Sequence, residues 1–147
     1  MEPSSEIPAE FSREGSKVCC ANDKIYLLGG LFGDRRVTEY NPQENTWRNL
    51  PELSQKRDGQ HSLCVLNNKI FVIGGKRTTT CEMLDLNKAA KWKFLSDTLN
   101  THYNSGIVVL ENKIYVAGGH STTMVEMYDT KKGRVSFFNL PKRLPSQ

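Results

Sequence analysis

Lys24-Ile25-Tyr26-Leu27-Leu28-Gly29-Gly30 returns as Lys69-Ile70-Phe71-Val72-Ile73-Gly74-Gly75 and again as Lys113-Ile114-Tyr115-Val116-Ala117-Gly118-Gly119, at offsets of 45 and 44 residues. One Gly-Gly pair carries little information. Three seven-residue copies at a nearly fixed period mark an internal repeat, and a repeat decides the architecture before any single residue does. Each copy is preceded by an apolar segment, Val18 to Ala21, Leu63 to Leu66 and Ile107 to Leu110. Each is joined to it by a two-residue polar step, Asn22-Asp23, Asn67-Asn68 or Glu111-Asn112. Asn and Asp tolerate the positive φ angles of a tight hairpin turn, so each repeat is expected to open with two short antiparallel strands.

A polar loop follows each Gly-Gly, then a third apolar-containing segment: Val37 to Tyr40, Cys81 to Leu84 and Val125 to Tyr128. Second turns are expected at Asn41 to Asn45, Asp85 to Ala90 and Asp129 to Gly133. Fourth strands then carry an aromatic, Thr46-Trp47-Arg48 and Lys91-Trp92-Lys93. No stretch has helical periodicity. The second strands are continuous apolar runs, as expected of strands buried on both faces between neighbouring sheets. Four strands per unit of about 45 residues is the arithmetic of a propeller blade. The third repeat departs from the others. At the place of Trp47 and Trp92 it offers Val135 or, with two extra residues, Phe137, which leaves the register of a strand over Val135 to Asn139 open.

The Gly-Gly after an apolar strand, the Glu-Tyr or Glu-Met step, the Tyr/Leu-Asn/Asp turn and the later Trp together resemble the kelch motif, over roughly residues 13 to 141. No Gly-His opens a repeat and no Trp-Asp closes one, which sets the WD40 type aside. The expected fold is therefore all-β: a partial kelch-type β-propeller of three four-stranded antiparallel blades. The expected organisation is a tail or blade remnant over 1–12, repeats over 13–57 and 58–100, and a third repeat with a linker over 101–147. Propellers have about four to eight blades. Arg13-Glu14-Gly15-Ser16 resembles Arg57-Asp58-Gly59-Gln60, and Pro141 to Pro145 reads as a linker, so both ends read as cut from a longer array. Self-association of two half-propellers is the alternative.

Composition narrows the function classes. The 147 residues include 24% charged and 37% apolar residues, with a formal net charge of +4 and a pI near 8.9. That mild excess favours acidic partners without indicating nucleic acid. Cys19, Cys20, Cys64 and Cys81 form no Cys-x-x-Cys pair, and they read as small core residues of a reduced protein. The N-terminus lacks the apolar core of a signal peptide, and no run approaches the roughly 20 apolar residues of a membrane span. The expected location is the cytoplasm, with the nucleus as alternative.

Gly29, Gly30, Gly74, Gly75, Gly118 and Gly119 are read as scaffold, allowing unusual backbone angles and close approach. Trp47 and Trp92 are read as packing between blades. Glu39, Glu82 and Glu126 are taken to recur at one strand position, separated by blades rather than paired for acid–base chemistry. No nucleophile or zinc motif appears, so neither catalysis, metal nor cofactor is expected.

Function is expected in the loops. Those between strands two and three and those entering each repeat open on one face of a four-stranded blade. They gather Arg35, Arg36, Lys56, Arg57, Lys76 and Arg77, together with His61, His102 and His120. Arginine forks suit carboxylates, so the expected partner is a protein presenting an acidic peptide loop. The resemblance implies more. Kelch propellers often follow BTB and BACK domains and capture substrates for a cullin-type ubiquitin ligase, a role this chain would fill only through a longer parent. Other kelch proteins bind actin, the alternative reading. Some oxidases carry kelch propellers with copper, but this chain shows no evident copper-ligand set.

Overall fold

The computed structural model describes residues 6–88, 91–120 and 122–130, and the backbone of 137–139. Residues 1–5 of the expected tail, the expected turn residues Ala89, Ala90 and Lys131 to Gly133, the loop residue Ser121, Val135 and the linker from Pro141 lie outside them. Twelve strands form three separate sheets, with no α-helix among the described residues. The first sheet contains β1 (Lys17–Ala21), β2 (Lys24–Leu28), β3 (Val37–Asn41) and β4 (Thr46–Leu50). The second contains β5 (Ser62–Leu66), β6 (Lys69–Ile73), β7 (Cys81–Asp85) and β8 (Lys93–Phe94). The third contains β9 (Gly106–Leu110), β10 (Lys113–Ala117), β11 (Val125–Asp129) and β12 (Phe137–Asn139). In each sheet every strand pairs antiparallel with its chain neighbour.

The turn chemistry works as the residues dictate. Asn22, Asp23, Asn67, Asn68, Glu111 and Asn112 all take positive φ between 51° and 62°. This places two left-handed residues at each of the β1–β2, β5–β6 and β9–β10 hairpins. The first two hairpins are also tied together, Asn22 Nδ2 donating to Asn68 Oδ1 at 2.5 Å, and within the second blade Asn68 Nδ2 donates to Asn87 Oδ1 at 2.6 Å.

The inner strands β1, β5 and β9 lie side by side, and the sheets pack face to face around them. One core lies between blades one and two. Tyr26, Leu28, Val37, Leu50 and Leu53 meet Ile70, Val72, Leu84 and Trp92, with Cys19 and Leu63 at the inner end. The other joins Phe71, Ile73 and Cys81 to Ile114, Val116 and Tyr128. Alternate residues of the middle blade thus feed opposite cores, which is why its second strand is apolar from Ile70 to Ile73. The third blade's outer flank has no such cover among the described residues. Val108 and Leu110 are each 57% exposed, although their counterparts Cys64 and Leu66 pack into the second core.

Register settles the third repeat's aromatic. Tyr128 pairs with Phe137 as Tyr40 pairs with Trp47. The backbone therefore sets Phe137 at the tryptophan position. Trp92 stands one residue before β8 and is buried, its Nε1–H donating to the Pro51 carbonyl of the preceding blade at 2.8 Å. Trp47 is half-buried between Tyr40, at a ring separation of 4.4 Å, and Phe11 of the N-terminal segment, at 5.7 Å.

Register also corrects the alignment of the glutamates. Val72 pairs with Glu82 and Val116 with Glu126, but the equivalent Leu27 pairs with Thr38. Glu39 sits one residue further on, opposite Tyr26, where the other blades have Met83 and Met127. One residue along a strand reverses the face, so Glu39 does a different job. Arg48 donates to it at 2.7 and 3.1 Å. That bond, more than any other influence, holds its carboxyl below the usual range.

The cysteines divide. Cys81 is buried, and Cys19 and Cys64 pack against the cores. Burial pushes all three thiols up to about 12, so they are inert. Cys20 departs from the core expectation: alternation along β1 turns it outward, and it is exposed.

Candidate interaction face

The segment entering each blade carries a donor that reaches the carbonyl of the first glycine of that blade's pair. Arg13 Nε donates to Gly29 O at 2.8 Å, Arg57 Nη1 to Gly74 O at 2.7 Å, and His102 Nδ1 to Gly118 O at 2.7 Å. Arg57 also donates from Nη2 and Nε to Glu82 Oε2 at 2.8 and 3.3 Å. His102 Nε2 lies 2.5 Å from Glu126 Oε2. Each of these two glutamates also accepts two backbone N–H groups from the linker out of the preceding blade. Ser54 and Gln55 bond Glu82, and Leu99 and Asn100 bond Glu126. A fully buried carboxylate with two N–H donors and a basic partner therefore staples each of these blades to the one before it. In the first blade Thr38 replaces the carboxylate. Arg13 instead donates to the Thr38 hydroxyl and to the carbonyls of Phe11, Leu27 and Arg36.

This removes three residues from the expected interaction face. Arg57 is 1% exposed, His61 1% and His102 0%. They lie in polar loop sequence, but the entry segment turns inward between blades, where the glycine carbonyls and Glu82 or Glu126 need donors. Arg57 accordingly belongs to the second blade rather than to the end of the first repeat.

His61 is buried against Gly29, and among the described residues neither ring nitrogen has a partner in good hydrogen-bond geometry. Burial, then the Arg57 and Lys17 cations, lower its pKa to about 3, the Leu28 backbone opposing weakly. The unfolded chain binds a proton at His61 near pH 6.5, which the folded chain refuses until about pH 3. Folding stability attributable to His61 therefore falls as pH drops through that window. Between pH 8 and pH 5 wild type should lose about 2 kcal/mol more than His61→Leu in urea denaturation. Parallel stability profiles would contradict the assignment.

Two further basic residues are committed within the first blade's loop. Arg36 holds Asp34 at 2.7 Å and the Glu10 carbonyl at 2.9 Å. Arg35 pairs with Glu52 at 3.2 Å and donates to the Leu53 carbonyl at 3.3 Å. Both stay partly exposed, but their forks are occupied. Lys56, Lys76, Arg77 and His120 remain exposed on the loop face. His120 stacks on Tyr103 at a ring separation of 5.0 Å. No group of three or more His, Cys, Asp or Glu able to hold a metal ion occurs among the described residues.

Phe32 is not among the candidates that the sequence suggests. It is 95% exposed. It occupies the same loop position as Arg77, two residues past the glycine pair, and both have φ of 58°. A bulky residue with left-handed backbone is strained, and such strain concentrates at binding loops. The Phe32 loop is pinned: Gly33 N–H donates to Asp58 Oδ1 at 2.8 Å, and Leu31 N–H to the Glu14 carbonyl at 2.9 Å. The Lys56 stem packs on Gly33. A rigid loop thus holds an aromatic ring out in solvent, on a face with the His120–Tyr103 stack and three cations that make no ion pair among the described residues.

Sheets of four antiparallel strands, packed face to face about their first strands, define a propeller segment that presents its loops for binding. The Kelch motif model matches residues 12–54 and 101–137, the first and third blades. This chain belongs to the kelch-repeat family. It is 33% identical over 103 residues to an F-box/kelch-repeat protein of Arabidopsis thaliana, covering 65% of this chain and 28% of that protein. It is 36% identical over 64 residues to Kelch-like protein 38 of Rattus norvegicus, covering 43% of this chain and 10% of that one. The chain thus spans under a third of the length of these relatives. The solved structure of YjhT superposes with a TM-score of 0.71 at 15% identity, over 88% of this chain and 52% of that chain, and shows the same fold. Kelch repeats are protein–protein interaction modules and in general a non-catalytic scaffold, and this chain carries that module.

Proposed function

We propose that this chain is the substrate-recognition segment of a kelch-like adaptor for a cullin-type ubiquitin ligase, and that it docks an acidic turn of its target on the loop face. The observation that carries the reading is Phe32: an almost fully exposed aromatic on a pinned, strained loop, on the same face as Lys56, Lys76 and Arg77. Interface hot spots are aromatic and arginine side chains that a partner desolvates, with surrounding charges that steer it. The F-box/kelch-repeat and Kelch-like names of the relatives support an adaptor context, in which a further domain of a longer parent would recruit the ligase.

The test is calorimetry with cyclic peptides that present an Asp/Glu-rich turn beside one apolar residue. Phe32→Ala should weaken binding by about thirtyfold, the usual loss for an aromatic anchor. Arg77→Ala should weaken it several-fold at low salt and less at high salt. Unchanged affinity in the double variant would remove this site. Arg57 is unsuited to the test, because its loss damages the fold.

A further inference from the structure

The opposite end of the second blade holds a cleft of about 340 Å³ with Lys69, Lys88, Lys91 and Lys93 around Met83 and Asp85. Four ammonium groups face one carboxylate. None of the four makes an ion pair among the described residues, and the Asp85 carboxylate already accepts the Asn87 N–H at 2.9 Å.

The first blade shows what the fold does with this arrangement when it is neutralised. There Glu39 stands at the Met83 position. Lys24, the counterpart of Lys69, lies 3.9 Å from it, and Arg48, the counterpart of Lys93, donates to it at 2.7 Å. The second blade keeps both cations and adds Lys88 and Lys91 from its turn, but places a thioether where the acid was. The result is a concave basic surface with an apolar floor and an unfilled demand for negative charge.

From this comparison we infer that the cleft is an anion site for a small molecule bearing two or more phosphates. Like charges gathered around one cleft repel one another unless a counter-charge arrives. Lysine ammonium groups bind phosphate as point charges from several directions, without needing the planar match of an arginine fork. The volume suits a small polyphosphate, and Met83 gives an apolar surface for whatever carries it. This site lies at the hairpin-turn end of the blade, away from Phe32 and Arg77, so it stands or falls independently of the loop face.

Inorganic triphosphate is the probe, titrated into ¹³C-methyl-methionine-labelled protein at low and raised salt, with orthophosphate alongside. The Met83 methyl should shift saturably with triphosphate, much less with orthophosphate, while Met124 and Met127 stay still. Calorimetry should show Met83→Glu, which rebuilds the first blade's neutralised arrangement, weakening triphosphate by about tenfold or more. Since Met83 also touches the second core, Lys69→Gln with Lys93→Gln supplies a surface variant expected to do the same with an unchanged melting temperature. Asp85→Asn should tighten binding a few-fold. No saturable Met83 shift at millimolar triphosphate, or equal affinity in the lysine double variant, overturns the site. A doubly phosphorylated peptide that binds where triphosphate does not overturns the small-molecule assignment.

Discussion

Arg57→Ala should cost about 3–5 kcal/mol of folding stability, enough to unfold a large fraction of a marginal domain. The substitution leaves the Glu82 carboxylate at 0% exposure with the Ser54 and Gln55 N–H groups but no cation. It also strips donors from the carbonyls of Gly74 and Thr80. A buried charge without its partner cannot recover solvation, so the loss greatly exceeds that of a surface pair. Arg48→Ala is the control. It donates to Glu39 from Nε and Nη2 at 2.7 and 3.1 Å, but the Arg48 side chain is 63% exposed and Lys24 stays 3.9 Å from the Glu39 carboxylate, which is 8% exposed, so a smaller loss of about 1–2 kcal/mol is expected. Urea denaturation followed by tryptophan fluorescence separates the two. Equal small losses would mean that the Arg57–Glu82 staple is not what holds blade two to blade one.

Gly74→Ala should be nearly as damaging, and Gly118→Ala mild, although the two glycines occupy the same place in the repeat. A methyl group on Gly74 would be driven into the His102 carbonyl of the next blade's entry segment, which accepts the Gly75 N–H at 3.1 Å. Main chain cannot step aside as a side chain can. Among the described residues the same methyl group on Gly118 would meet the Thr122 carbonyl alone, at an ordinary 3.7 Å. Both positions have left-handed φ, +68° and +64°, so both carry the backbone penalty of about 1 kcal/mol. The packing clash is added at Gly74 alone and should bring its loss to about 3 kcal/mol or more. Thermal melts of the two variants read the difference directly. Similar losses would show that the glycines serve backbone angles only, and not the approach of the following blade.

The blades were legible in the sequence because their signals are local. Asn22-Asp23 and its counterparts encode left-handed turns, and apolar runs ending in Gly-Gly encode central strands. The position of a polar side chain in a loop was not legible. Arg57 and His102 look solvent-exposed by composition, yet their partners Glu82 and Glu126 lie 25 and 24 residues away across a sheet. Only the assembled blade brings them together. The recurrence of Arg13 and Arg57 at the repeat starts was the available signal, since a basic residue held at a fixed place before a buried strand serves the scaffold more readily than a variable partner.

The glutamate alignment failed for another physical reason. Matching like residues put Glu39 with Glu82, whereas matching the first strand residue after the loop, Val37 with Cys81, gives Thr38. A one-residue difference is invisible to composition and decisive for facing. Phe32 was overlooked because an apolar residue in a loop ordinarily tucks inward. Its exposure follows from the left-handed backbone at that position, which Phe does not announce as Asn or Gly would.

The loop face as docking surface is tested most directly by hydrogen–deuterium exchange on the chain bound to the tightest acidic-turn peptide. The account predicts slowed exchange in the loops over 31–36 and 76–80 and in the entry segments over 55–61 and 100–104, with the hairpin turns at 22–23 and 67–68 unchanged. Protection confined to the hairpin-turn end, or bound peptide with no protection around Phe32 and Arg77, would contradict it.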